Sequence, residues 1–148
     1  MSKYKNILVP VDFSDISTRA LKVALDLAGS LAAKVTVLHA VSMSAVSLPV
    51  DGMPVYNDKM IEEGLDEARE KLENYLREHI GAAQLTQAVV FGEPTSEVNI
   101  YAVENAVDMI IMGTHGRTGL LHLLLGSVAE SVLRHASVPV LCVPARPE

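Results

Sequence analysis

Apolar positions along the chain alternate between two periods. Short runs rich in β-branched residues fall at Ile7 to Val11, Val35 to Ala40, Leu85 to Phe91, Met109 to Met112 and Val138 to Val143, and each has the length of a buried strand. Between them the period lengthens. Ala20, Ala24, Leu27, Ala28 and Leu31 follow i, i+4, i+7, i+8, i+11, and Ile61, Leu65, Ala68, Leu72, Tyr75 and Leu76 repeat that stripe with charged residues opposite. A third helix is predicted from about Pro94, whose missing N–H does no harm in a first turn, to about Asn105. A fourth covers Ser127 to His135, with Val128, Val132 and Ala136 facing inward.

Strand and helix therefore alternate as βαβαβαβαβ. Right-handed crossovers place such helices on both faces of a mainly parallel sheet, which predicts a three-layer α/β sandwich formed by a single domain over residues 1–148. No internal repeat interrupts it. One connection is long: Val41 to Asp58 is nearly uncharged and contains Pro49, Gly52 and Pro54. Because it leaves the end of the second strand, where ligands bind in this architecture, it is expected to be a lid over a pocket.

Composition sharpens the class. Of 148 residues 49% are apolar but only 4% aromatic, with no Trp, so the core is aliphatic, as parallel sheets favour. The net charge of −6 argues against a nucleic-acid-binding surface, which needs a basic stripe. It also means that a bound polyphosphate must be held by backbone N–H groups and a metal ion more than by lysines. Cys142 is the sole cysteine, inside an apolar strand, and reads as a buried hydrophobe. Neither a signal-peptide core nor a run of about eighteen apolar residues is present, so the expected location is the cytoplasm with no membrane contact. His39, His79, His115, His122 and His135 show no compact ligand spacing, which predicts no dedicated metal site. No Gly-x-Ser-x-Gly elbow or positioned base is found, and no catalytic residue is assigned.

The chemistry concentrates in Met112-Gly113-Thr114-His115-Gly116-Arg117-Thr118-Gly119 and in Gly126-Ser127 beyond it. Glycines let the backbone approach closely, so successive N–H groups can point into one concavity. Ser127 opens the last helix, whose first N–H groups form a second anion site. A Walker loop fails because Gly119 is followed by Leu120 with no lysine near. A dinucleotide fingerprint fails because the glycines follow the fourth strand, not the first.

The spacing Gly113-x2-Gly116-x9-Gly126-Ser127 resembles the nucleotide-binding pattern of the universal stress protein family, and the resemblance extends over nearly the whole chain. It takes in Ile7-Leu8-Val9-Pro10-Val11-Asp12, Gly92-x-Pro94 and Val138-Pro139-Val140-Leu141. It implies an adenine nucleotide alpha hydrolase-like fold with strand order 3-2-1-4-5. It also implies ATP, with Mg2+, as the ligand. The adenine would lie near Pro10, Val11, Asp12 and Val41. Met112, Gly113 and Gly116 would line the ribose and phosphate path, while Gly126, Ser127 and Val128 would donate to phosphates. Family members often carry Ser or Thr where this chain has Ala129, so one hydroxyl contact is missing. A homodimer through the edge strand Val138 to Val143 is implied too, as is a nucleotide-dependent regulatory role in stress response.

Several residues keep two readings. Asp12 serves ribose or a metal-bound water, or it helps Ser14 start the first helix. Arg117, the only cation in the glycine loop, meets a phosphate or solvent, and His115 is similar. Two alternative functions remain, a nucleotide-free interaction module and a slow ATPase, the latter to be separated by a Gly113→Val variant that should block the loop.

Overall fold

A computed structural model describes residues 2–81, 83–115 and 125–145. β1 (Asn6–Pro10) leads through α1 (Asp15–Leu31) to β2 (Lys34–Val41), followed by α2 (Met43–Val46), β3 (Leu48–Val50) and β4 (Met53–Val55). Then come α3 (Asp58–His79), β5 (Thr86–Phe91), α4 (Pro94–Glu104), β6 (Met109–Gly113), α5 (Ser127–His135) and β7 (Val140–Val143). The main sheet has the order β5-β2-β1-β6-β7 with every pair parallel. Counting its five strands alone, that order is the expected 3-2-1-4-5.

Period two along the strands sorts the core into two layers. Ile7, Val9, Val35, Val37 and Ile111 face α1 and α3, where Ala20, Leu21, Ala24, Leu72 and Leu76 meet them. Leu8, Leu38, Ile110 and Met112 face the other way, against Val98 and Ala102 of α4 and Ala129 and Val132 of α5. Both sheet faces are thus covered, as an all-parallel sheet requires.

Local signals set the helix ends. Ser14 caps α1 by accepting the Ser17 amide at 3.2 Å, and Ala32, in the left-handed conformation at φ 52°, ends it. Asn57 caps α3 by accepting from Met60 N–H at 2.9 Å, and Arg77 and His79 lie in its last turn. Across the α1–α3 contact the Tyr75 and Thr18 hydroxyls lie 2.6 Å apart, buried. Thr18 Oγ1 already donates to the Ser14 carbonyl at 3.0 Å, so Tyr75 O–H is the donor in the pair. Burial pushes the Tyr75 phenol up from its ordinary 10.0, the Asp12 and Asp15 carboxylates add to the rise, and the Thr18 hydrogen bond opposes it. A raised phenol pKa favours the neutral folded form. Its contribution is therefore complete below the unfolded value and is lost as pH climbs through the folded one. Tyr75→Phe should cost about 1 kcal/mol at neutral pH. In urea titrations the gap between variant and wild type should stay constant up to about pH 10 and shrink above it.

Two expectations need correction. The last strand starts at Val140, not Val138, because Pro139 has no N–H for the ladder and offers only its carbonyl, to Ile110 N–H at 3.0 Å. The segment Val41 to Asp58 is not a lid lying over a pocket. It holds α2 and an antiparallel β3–β4 hairpin, and the residues on either side of the hairpin are tied to the β5 flank. Val46 packs with Val41 and Ala68, filling the space a Cβ at Gly64 would need, and the Tyr56 ring lies 6.1 Å from that of Phe91.

Candidate nucleotide site

β1 and β6 are neighbours at the sheet centre, and their connections leave in opposite directions, β1 through α1 toward β2 and β6 through α5 toward β7. The crevice between their carboxyl ends is where ligands bind in open α/β sheets. A cavity of about 220 Å³ occupies it. Pro10, Val11 and Asp12 form one wall as β1 ends, and Met112, Gly113, Thr114 and His115 form another as β6 ends. Gly126, Ser127, Val128 and Ala129 bring the start of α5 to the same hollow, and Leu38, His39 and Ala40 of β2 close its side.

Backbone bookkeeping decides what this hollow can bind. Thr114 N–H donates to the Val143 carbonyl at 3.1 Å, and Gly126 N–H donates to the Thr114 carbonyl at 2.7 Å. Those two amides are used to pin α5 onto the end of β6. Helical bonding in α5 begins only with Glu130 N–H to the Gly126 carbonyl, at 2.9 Å. The amides of Ser127, Val128 and Ala129 consequently have no acceptor among the described residues. Three unclaimed donors at the positive end of a helix dipole favour an anion. Ser127 is the first residue of the helix and not its cap. Gly126, extended at φ −63° and ψ 159°, takes the cap position and leaves the serine hydroxyl uncommitted to capping.

Asp12 combines both of its readings. Its Oδ1 accepts from Ser14 N–H at 3.0 Å and from the Ser17 hydroxyl at 2.7 Å, which organises the start of α1, and the residue also lines the cavity. Beside it, His39 Nδ1 lies 2.9 Å from the Val11 carbonyl. Because a carbonyl only accepts, that nitrogen carries the ring proton. The ring packs on Phe13 with centroids 4.5 Å apart, and Phe13 holds φ 69°, an uncommon conformation for a bulky residue. His115 Nδ1 lies 3.0 Å from Thr114 Oγ1.

Of the residues singled out from sequence, Pro10, Val11, Asp12, Met112, Gly113, His115, Gly126, Ser127 and Val128 all line the cavity. Val41 does not. It is buried beside Val46 and Ala68, and its carbonyl accepts Gly92 N–H at 2.9 Å. Gly116 and Arg117 lie outside the described residues. Sequence reasoning missed Ser17, His39 and Thr114 at the cavity wall. A polar residue in the last apolar turn of a strand beside the switch point was the available signal for His39. Ser17 carried none beyond its place three residues after a cap. Cys142 is half-buried, and burial pushes its thiol up, so it is less ionised than a free cysteine. Among the described residues no group of three or more His, Cys, Asp or Glu could hold a metal ion, and no helix is long and apolar enough to cross a membrane.

Comparison with known proteins places the chain in a family and matches its fold. A family model described as the universal stress protein family matches residues 3–144. The universal stress protein MJ0531 of Methanocaldococcus jannaschii is 36% identical over 141 residues, covering 95% of this chain and 82% of the relative. Among solved structures, that of MJ0577 superposes with a TM-score of 0.79 at 32% identity, covering 99% of this chain and 100% of the other. A universal stress protein solved in complex with cAMP gives a TM-score of 0.62 at 27% identity, covering 97% and 98%.

Proposed function

Because this chain belongs to the universal stress protein family, we propose that the cavity between β1 and β6 receives an adenine nucleotide, ATP with Mg2+, and that occupancy regulates a stress-response dimer. The observation that carries this reading is the set of three unclaimed amides, Ser127 to Ala129, facing the hollow that Asp12 and Gly113 border. The cAMP complex of a relative supports the adenine class. In this reading phosphate charge is balanced by the α5 dipole and a divalent ion, with Arg117 of the glycine loop as the cation that would meet a phosphate. Asp12 and Ser127 supply the oxygen atoms that would hold that ion's water shell. Val11 and His39 flank the base end, and Met112 and Gly113 the ribose path.

Turnover is at most slow in this reading. Asp12 is engaged with Ser14 and Ser17 and His39 with Val11, which leaves neither group arranged as a base for attacking water. Dimerisation would proceed through β7, the outer strand beyond β6, which exposes Leu141 and would otherwise be an unprotected edge. Calorimetric titration with MgATP should saturate at one nucleotide per chain. At hundredfold excess over Kd the melting temperature should rise by roughly 5–10 °C. No heat and no thermal shift at millimolar MgATP would remove the reading in favour of a nucleotide-free interaction module.

A further inference from the structure

The β3–β4 hairpin carries an apolar face that the fold leaves uncovered. Its strands pair as Leu48↔Val55, Pro49↔Pro54 and Val50↔Met53 around Asp51 and Gly52, whose φ values of 49° and 78° make a two-residue turn of the mirror-image type that suits hairpins. Residues two apart share a face, as do cross-strand partners. Leu48, Val50, Met53 and Val55 therefore stand together on one side, and they are 61%, 53%, 67% and 48% exposed. An isolated two-stranded ribbon is marginal in water. Something should cover it.

The prolines restrict how that can happen. Val50 and Met53 flank the turn as the hydrogen-bonded pair, so the next pair, Pro49 and Pro54, occupies positions whose N–H groups would point outward. Neither edge can donate there, which rules against strand addition and leaves contact through the face. Charge narrows the occupant. The chain carries −6, yet between Ser42 and Asn57 the only charged residue is Asp51. A second copy is repelled by most of the surface but not by this part of it. Asp51 at the hairpin tip, with the acidic net charge, opposes burial in a lipid surface.

We infer that two copies of the chain associate face to face through Leu48, Val50, Met53 and Val55, related by a two-fold axis, since an aliphatic face is its own complement. Four side chains offer on the order of 400 Å² per copy, below the roughly 800 Å² per partner of a stable interface. The contact is therefore weak alone. The hairpin lies on the β5 flank and β7 on the opposite edge, so the hairpin contact joins copies at the end away from β7 and would link β7 pairs into larger assemblies.

Sedimentation velocity across micromolar to millimolar chain concentrations tests this, with Met53→Glu at the hairpin, Leu141→Asp at the β7 edge, and circular dichroism to confirm folding. Wild type should show a concentration-dependent association that Met53→Glu weakens about tenfold or more and Leu141→Asp does not abolish. Association that Leu141→Asp alone removes would overturn the hairpin contact while leaving the β7 dimer standing. A wild type that stays monomeric, a Met53→Glu profile matching wild type, or pelleting of non-associating protein with neutral phosphatidylcholine vesicles would each overturn it too. None of these outcomes depends on nucleotide.

Discussion

Replacing Ser127 by Pro is expected to lower MgATP affinity about 10- to 100-fold while leaving the fold intact. Proline is at home in the first position of a helix, where its missing N–H has no intrahelical partner to lose. Ser127 holds that position in α5, and Gly126 before it is extended at ψ 159°, the conformation a residue preceding proline prefers. The substitution thus removes one of the three cavity amides and puts a ring carbon where its hydrogen pointed, with little demand on the helix. A charge-assisted hydrogen bond is worth roughly 1.5–3 kcal/mol, which sets the expected range. Ser127→Ala keeps the amide and removes only the hydroxyl, so it should lose no more than about tenfold. Titration calorimetry on the two variants separates these terms. If Ser127→Pro binds as tightly as wild type while melting normally, the amides of α5 do not hold the phosphates.

How much of this could be read from the chain follows from where the information is local. The five sheet strands and the helices α1, α3 and α5 were legible because each is an apolar run or stripe with its own period, bounded by caps such as Ser14. Helix α4, with Ile100 and Val103 exposed opposite its buried Val98 and Ala102, was legible from Pro94 in its first turn. The switch point was legible once the order was in hand, since Asp12 and Gly113 end adjacent strands. What sequence spacing cannot show is which amides are already committed. Thr114 and Gly126 belong to the glycine pattern, yet they bond to Val143 and to each other, contacts set by how β7 and α5 dock. The hairpin was hidden for a different reason. Its strands are three residues long and every residue in them is exposed, so no alternation of buried and polar positions marks it. Asp51-Gly52 was its only signature.

Gly113 shows the same limit at a single residue, and it yields the largest effect expected on stability. Sequence spacing casts this glycine as a place of close approach to a ligand, so that a bulky residue there should block the loop. In the structure a Cβ at Gly113 meets Ile16 Cγ2 on the first turn of α1, well inside van der Waals contact, with the His115 carbonyl oxygen and the Ile16 carbonyl carbon each 3.4 Å away. The φ of Gly113 is not positive, so space and not backbone conformation excludes a side chain. Ile16 is β-branched and stiff at χ1, which leaves it few ways to yield. Gly113→Ala should therefore cost about 1–3 kcal/mol and lower the melting temperature by roughly 3–10 °C, with nucleotide absent. Ile16 is half-buried, and trimming it opens the space the new methyl needs. The double variant Gly113→Ala/Ile16→Ala should melt above the sum of the two single effects, with a favourable coupling of about 1 kcal/mol or more. A Gly113→Ala protein as stable as wild type would show that α1 does not close on β6 at this point. Additive single effects would show that the clash lies elsewhere, leaving the approach of a ligand as the reason for the glycine.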